Sequence, residues 1–226
     1  MATLPSAFAH VEAWIFDLDN TLYPAAAKLF DQIDVKMGAY IQRLLNCDPV
    51  EARRVQKGFF HSHGTTLSGL MEAHGTVPAE FLEYVHDIDL SVLAEDRRVI
   101  EGLARLPGRK LVFTNGDEHY ARRVLERLGL STSFEAVHDI HATAYVPKPQ
   151  ASAYQGLCDA YAIDPARALF VEDMAQNLAP AKALGMTTVW VNNGSERGAH
   201  SASPDFIDYE IADVGDWLER ITGDYA

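Results

Sequence analysis

Cysteine is scarce in this chain. Among 226 residues there are two, Cys47 and Cys158, too few for a disulfide framework or a zinc cluster, so both are expected as ordinary reduced thiols. Long apolar runs are missing as well. No stretch approaches the roughly 18 apolar residues of a membrane-spanning helix. Met1 to His10 carries no Lys or Arg and no sustained apolar run, unlike a secretory signal. The expected setting is therefore soluble, reducing and cytoplasmic, with no membrane partner. Positive charge is in short supply too: 19 Lys and Arg face 32 Asp and Glu, for a net charge of −13. A chain so acidic repels nucleic acid and anionic lipid. No nucleic-acid partner is expected, and any anion must be held by local features that overcome the global field.

What is present is a globular composition. At 48% hydrophobic and 23% charged, the chain is no disordered tail, collagen or coiled-coil rod. Its length corresponds to one domain, or one domain carrying an insertion. Four short apolar runs each end on polar residues. Val11 to Phe16 closes on Asp17, and Lys110 to Phe113 on Thr114-Asn115-Gly116. Ala168 to Val171 closes on Glu172-Asp173, and Thr187 to Val191 on Asn192-Asn193-Gly194. Such runs read as buried parallel strands. Phe134 to Val137 is a fifth, less apolar candidate. Helical patterns lie between them, at Glu118–Leu128 with Gly129 as its C-terminal glycine, at Gln150–Tyr161, and at Gln176–Leu184 before Gly185. The segment from Val214 to Ile221 reads as a docking helix. Alternating strands and helices predict an α/β fold, a parallel sheet with helices on both faces. Ligands then bind beyond the carboxyl ends of the strands, where the polar clusters converge.

The stretch from residue 20 to residue 113 is far longer than the dozen or so residues a crossover needs. It reads as helices. Leu29, Ile33, Met37 and Ile41 recur every four positions, and Asp48-Pro49-Val50-Glu51 has the cap, N1 proline and N3 glutamate of a helix start. Pro78–His86 and Asp96–Leu106 add two more. Residues 23–91 are expected as a helical cap inserted over the sheet's carboxyl edge. The core is expected in 1–22 and 92–226.

The strand-end clusters carry the chemistry. Asp17 and Asp19 stand two apart in an extended segment, so both can face one site. Thr114-Asn115-Gly116 offers a hydroxyl and backbone N–H groups at a helix start, an anion cradle. Pro147-Lys148-Pro149 stiffens the backbone around a positioned cation, and Glu172-Asp173 adds two acids. Carboxylates with room for water suit Mg²⁺, and a metal beside an anion cradle suits a small phosphorylated substrate. Asp17 can then be the nucleophile and Asp19 the general acid and base. Taken singly, each cluster is equally a turn, a helix cap or a surface loop; it is their order at successive strand ends that argues for a site.

Phe16-Asp17-Leu18-Asp19-Asn20-Thr21 resembles the first motif of the haloacid dehalogenase-like (HAD) hydrolase superfamily. Thr114, Lys148 and Glu172-Asp173 match its second, third and fourth motifs in order, so the resemblance runs from Ile15 to Val191. It implies a three-layer α/β/α Rossmann-like fold with an α-helical cap. It also implies residue roles. Asp17 attacks phosphorus and ligates Mg²⁺. Asp19 protonates the leaving oxygen, activates water and binds the metal through its carbonyl. Thr114 and the Asn115 N–H hold phosphoryl oxygens, and Lys148 pairs with Asp17 and the phosphate. Asp173 completes the metal set, and Glu172 shares it in a proportion left open, because Glu172-Asp173-Met174 replaces the commoner Gly-Asp form.

Asp17 to Pro24, with Gly64-Thr65-Thr66-Leu67-Ser68-Gly69-Leu70 in the cap, resembles the pyrimidine 5′-nucleotidase branch. That resemblance implies a phosphomonoester hydrolase for pyrimidine nucleoside 5′-monophosphates. Thr65 and Thr66 either touch the base or simply start a helix. Phe59-Phe60-His61-Ser62-His63 departs from that branch. His61, His63 and His74 form a possible zinc set, although helical i and i+2 residues do not share a face, which favours solvated or core-edge histidines. Other readings stay open: a phosphatase for a sugar phosphate or phosphoglycolate-like metabolite, a phosphomutase, and a haloacid dehalogenase, which shares the nucleophile but has no use for Asp19. A receiver-type signalling module is the non-enzyme alternative, though its length is about half of this chain's.

Overall fold

The computed structural model describes residues 4–194 and 198–223. The first three residues of the N-terminal stretch read above, and residues 195–197 and 224–226 of the expected core, lie outside the described residues. Six strands make one sheet: β1 (Ala13–Phe16), β2 (Arg109–Phe113), β3 (Ala136–His138), β4 (Ala168–Glu172), β5 (Thr187–Val191) and β6 (Tyr209–Ile211). Their order is β3-β2-β1-β4-β5-β6, and every neighbouring pair is parallel. The four apolar runs are β1, β2, β4 and β5. The fifth candidate is β3, shifted to end on His138. β6 was not foreseen, because two of its three residues are exposed and it has no apolar pattern.

Between β1 and β2 the chain forms α1 (Leu29–Leu45), α2 (Pro49–His63), α3 (Thr66–His74) and α4 (Pro78–His86). After them come α5 (Arg97–Arg105), α6 (Glu118–Arg127), α7 (Ala151–Tyr161), α8 (Leu178–Leu184) and α9 (Val214–Thr222). Strand alternation sorts the core into two layers of side chains. Trp14, Phe16, Val112 and Val171 pack with α5, α6 and α9. Ala13, Ile15, Leu111, Phe113 and Phe170 pack with α7 and α8. The result is the expected α/β sandwich of three layers.

Local signals explain most helix boundaries. Asp48 caps α2 by accepting from Val50 and Glu51 N–H, each at 2.9 Å. Thr65 caps α3 by accepting from Ser68 N–H at 3.1 Å. The helix expected over 176–184 is corrected: Ala175–Asn177 is a 3₁₀ turn and α8 begins at Leu178. Pro180 is the reason, since its ring would meet the carbonyl four residues back if the helix started earlier. Gly69 lets α3 lie on α2, because a Cβ there would sit 2.3 Å from the Phe59 ring.

The apolar stripe of α1 buries Leu29, Ile33 and Ile41, and it joins Leu67 and Leu70 of α3 and Phe81, Leu82 and Val85 of α4 in one cluster with the sheet face. α5 packs instead on α9, so closely that a Cβ on Gly102 would lie 2.6 Å from Leu218 Cβ. On this basis we propose the cap as 23–91 and the core as 1–22 and 92–226.

The loop into β2 allows one test. Gly108 has φ of +79°, and a Cβ there would lie 2.4 Å from the Glu12 carbonyl oxygen. That carbonyl is needed, since it accepts from Arg109 N–H at the start of the β1–β2 ladder. Gly108→Ala is expected to destabilise the fold by about 1–3 kcal/mol, read as a lower urea midpoint at unchanged slope.

Candidate active site

β1 lies between β2 and β4, with Phe16 level with Val112 on one side and Val171 on the other. This is the point where strand order reverses, and the crevice beyond it is where such sheets bind ligands. Asp17 follows the last residue of β1, Thr114 follows the last residue of β2, and Glu172 ends β4. A cavity of about 480 Å³ opens here beneath α1–α4. It is lined by every site residue expected from the sequence: Asp17, Asp19, Thr114, Asn115, Lys148, Glu172, Asp173, Thr65 and Thr66.

Lys148 stands at its floor, 2% exposed. Its ammonium donates to Asp17 Oδ1 at 2.6 Å, to Glu172 Oε2 at 2.7 Å and to the Phe113 carbonyl at 2.8 Å. These use all three of its protons, so the expected direct contact to a phosphate would displace one of them. Burial pulls the Lys148 pKa down, but the charges of Asp17 and Glu172 outweigh it and hold the group above the ordinary lysine value. The Asn115 side chain fixes the lysine's backbone from both sides. Its amide donates to the Lys148 carbonyl at 3.2 Å, and its oxygen accepts from Lys148 N–H at 2.9 Å.

Three buried carboxylates face this one ammonium. Asp17, Glu172 and Asp173 are, among the described residues, the only cluster of three or more potential metal-ligating acids, Cys or His, with ligand atoms within 4.8 Å of one another. Burial, then the charge of Glu172, push Asp17 up to about 7 against the pull of Lys148. Burial and the charges of Glu172 and Asp17 also push Asp173 well above its ordinary value. Such an excess of buried negative charge is costly without a compensating cation, and an all-oxygen donor set fits a hard divalent ion. Glu172 is already engaged at both oxygens, by Lys148 and by Met174 N–H at 3.0 Å. Asp173 Oδ2 accepts from the Asn193 amide at 3.4 Å, its carbonyl accepts from the Trp190 ring N–H at 2.9 Å, and its carboxyl lies against that of Glu172.

Asp19 is half-buried at the cavity wall. Its Oδ1 accepts from the Tyr23 hydroxyl and the Tyr120 hydroxyl, both at 2.6 Å. Neither tyrosine was singled out from the sequence. Tyr23 stands four residues after Asp19, but Tyr120 is brought there by α6, and nothing local in the sequence connects it to the first motif. The tyrosine ring of residue 120 stacks on His86 of α4, centroids 4.1 Å apart and planes within 10°. His86 Nδ1 in turn pairs with Asp117 Oδ2.

Thr114 Oγ1 accepts from Gly116 N–H at 2.9 Å, which leaves its proton to donate into the cavity. The Asn115 N–H meets no acceptor among the described residues. The cradle is not the helix start expected from the sequence. α6 begins at Glu118, with Asp117 as its cap, so Thr114-Asn115-Gly116 is a loop one turn ahead of it.

In the cap, Thr65 and Thr66 line the cavity but their hydroxyls are engaged locally. Thr65 bonds with Ser68, and Thr66 donates to the Gln56 carbonyl at 3.4 Å. Gln56 itself is buried, lines the cavity and has an Oε1 without a partner, while its amide donates to Asp34 at 2.9 Å. His61, His63 and His74 belong to no metal-type cluster among the described residues. His63 and His74 pack edge-on against Phe59, and His61 and His74 are exposed. Cys158 is a core residue, its thiol pushed by burial up to about 11. No described helix is long and apolar enough to cross a membrane.

Residues 11–185 match the model of the haloacid dehalogenase-like hydrolase family. The chain belongs to that family, and the class its fold and site define is that of its hydrolases. Among curated relatives, "Phosphate metabolism protein 8" of Saccharomyces cerevisiae is 25% identical over 77% of this chain. The match covers 60% of that protein, so the chain spans less than two thirds of this relative's length. Human N-acylneuraminate-9-phosphatase is 24% identical over 94% of this chain and 96% of its own. A HAD phosphatase from Thermococcus onnurineus has the same fold, with a TM-score of 0.64 at 22% identity over 94% of this chain and 98% of its own. The L-2-haloacid dehalogenase of Xanthobacter autotrophicus shares it too, at 0.58 and 19% over 95% and 99%. At these identities the solved structures speak to fold alone.

The raised Asp17 pKa carries a sign that can be checked. In the unfolded chain this carboxyl loses its proton near its ordinary 3.8, and in the metal-free fold near 7. Between those values the folded protein binds more protons, so Asp17's contribution to stability falls as pH rises through the window and is flat above it. In chelator, Asp17→Asn is expected to flatten the wild-type decline between about pH 4 and 7. It should leave the protein roughly 1–4 kcal/mol more stable at pH 8, measured by urea unfolding across that range.

Proposed function

We propose that this hydrolase is a Mg²⁺-dependent phosphomonoesterase that acts through an aspartyl-phosphate on Asp17. The observation that carries the reading is the buried Asp17–Glu172–Asp173 cluster with Asp19 on the same cavity wall. Displacement of halide from carbon needs neither a cation nor a second acid, whereas transfer of a phosphoryl group needs both. The phosphatase name of a relative matched over nearly the whole chain supports the same choice.

Asp17, Asp173 and the Asp19 carbonyl would hold the metal, with Glu172 fixing Lys148 in place. When bound, Mg²⁺ supplies positive charge to the phosphoryl oxygens. Lys148 orients Asp17 for attack and, together with the bound cation, would keep it ionised. The Thr114 hydroxyl and the Asn115 N–H donate to the phosphoryl oxygens. Asp17 attacks phosphorus, the ester P–O bond breaks, and the leaving oxygen takes a proton from Asp19. Asp19 then takes a proton from water as that water attacks the aspartyl-phosphate, which returns Asp17 and releases phosphate. The expected setting remains the cytoplasm, with both cysteines as thiols.

Pyrimidine nucleoside 5′-monophosphates are the proposed substrates. The chemical step is the same for any phosphate ester, so discrimination must come from the cap. Gln56 Oε1, buried and without a partner on the cavity wall, is suited to accept from a base N–H, alongside Thr65 and Thr66. A modest preference of about 10–200-fold is expected, the range that apolar contacts to the base supply. The test is kcat/KM for UMP, CMP, dTMP, AMP, GMP and a panel of sugar and sugar-acid phosphates. UMP and CMP are expected to lead, and a sugar or sugar-acid phosphate in first place would overturn the substrate while leaving the hydrolase.

Two variants test the chemistry. Asp17→Asn is expected to bring phosphate release to background with the circular dichroism spectrum unchanged. Asp173→Ala should raise the Mg²⁺ concentration for half-maximal activity by at least about 10–100-fold. Glu172→Gln should lower kcat with a smaller change in that concentration. Full activity of the wild type in excess chelator would refute the metal requirement.

A further inference from the structure

We propose that Tyr23 and Tyr120 are positioning residues for Asp19: their hydroxyls hold Oδ1, and Oδ2 is the oxygen that delivers and recovers the proton. The proposal rests on the phosphatase reading above and adds the atom at which the proton moves. Both hydroxyls lie 2.6 Å from the same oxygen. Tyr23 is 3% exposed and Tyr120 is fully buried, so each hydroxyl needs a partner inside the protein. Burial and the nearby Asp19 charge raise both phenols well above their ordinary values, so both remain donors.

A carboxyl oxygen accepts two hydrogen bonds through its two lone pairs, whether the group is ionised or carries its proton on the other oxygen. With both hydroxyls on Oδ1, Oδ2 is the Asp19 oxygen that has no hydrogen bond among the described residues. In the first step the Oδ2 proton passes to the departing ester oxygen as the P–O bond breaks. In the second, water gives its proton to Oδ2 as its oxygen bonds to phosphorus and the bond to Asp17 breaks. Oδ1 keeps the same two donors throughout, so the carboxyl has no need to rotate between steps.

The two tyrosines are themselves fixed from opposite sides. Tyr23 leaves the first motif on the segment that enters the cap. Tyr120 is held in its backbone by Asp117, whose Oδ1 accepts from its N–H at 2.8 Å, and in its ring by the stack on His86. Replacing either hydroxyl leaves the ring and its packing in place and leaves Oδ1 with a single donor, so the carboxyl is held less firmly.

The test compares two esters in the first turnover, reading the alcohol or phenol released. The nitrophenolate of p-nitrophenyl phosphate departs without a proton, whereas the 5′-alkoxide of UMP needs one. Tyr23→Phe and Tyr120→Phe are each expected to slow release from UMP about tenfold, a fraction of what a general acid contributes. KM should stay close to wild type, and release from p-nitrophenyl phosphate should change less than about twofold. Equal losses on both esters, or no loss on UMP in either variant, would overturn the assignment of the tyrosines. If the wild type releases phosphate from neither ester, the phosphatase reading falls, and the tyrosine assignment with it.

Discussion

The Lys148 ammonium between Asp17 and Glu172 is the interaction on which the rest of the site depends. A lysine at 2% exposure is tolerable only because each of its protons has an acceptor and two of those acceptors are charged. It arrives from the loop before α7, meets the ends of β1 and β4, and binds the last carbonyl of β2. One side chain thus ties together three neighbouring strands at the switch point. Removing it would leave two buried acids facing each other with nothing between them.

That arrangement also divides labour among the acids. Glu172 has both oxygens engaged and serves the lysine. Asp173 has few protein partners, and Asp17 belongs to both groups. Burial, together with a charge count that stays negative even with Lys148 in place, is what pushes Asp17 up to about 7. A site so arranged is poised to take up positive charge, and this local hunger for cations coexists with a chain of net charge −13.

Much of this was legible in the sequence, for physical reasons. β1, β2, β4 and β5 are buried on both faces, so they read as apolar runs, and each run stops where the chain leaves the sheet and turns polar. That is why Asp17, Thr114 and Glu172 could be placed at strand ends before any geometry was known. Asp48 and Pro49 announced α2 through cap chemistry. The exposed edge strand β6 left no such trace. Pro180 was in view, yet its effect on the start of α8 depends on which residue the helix begins with, and periodicity does not resolve that. Tyr120, His86 and Gln56 were illegible as site residues because their neighbours are distant in sequence. Their local patterns speak only of helix faces.

The order of the sheet has a consequence for how the molecule comes together. β1 is the first of the described strands in chain order, yet its two partners are β2 and β4, and the second of these ends at Glu172. Of the helices between β1 and β2, α1 to α4 contact one another locally, α1 with α2 and α4, α2 with α3. They can form early and shorten the effective loop that β1–β2 pairing must close. No such help reaches the β1–β4 pairing. Asp17 waits for a lysine and a glutamate from the second half of the chain, so the site is among the last parts of the structure to assemble.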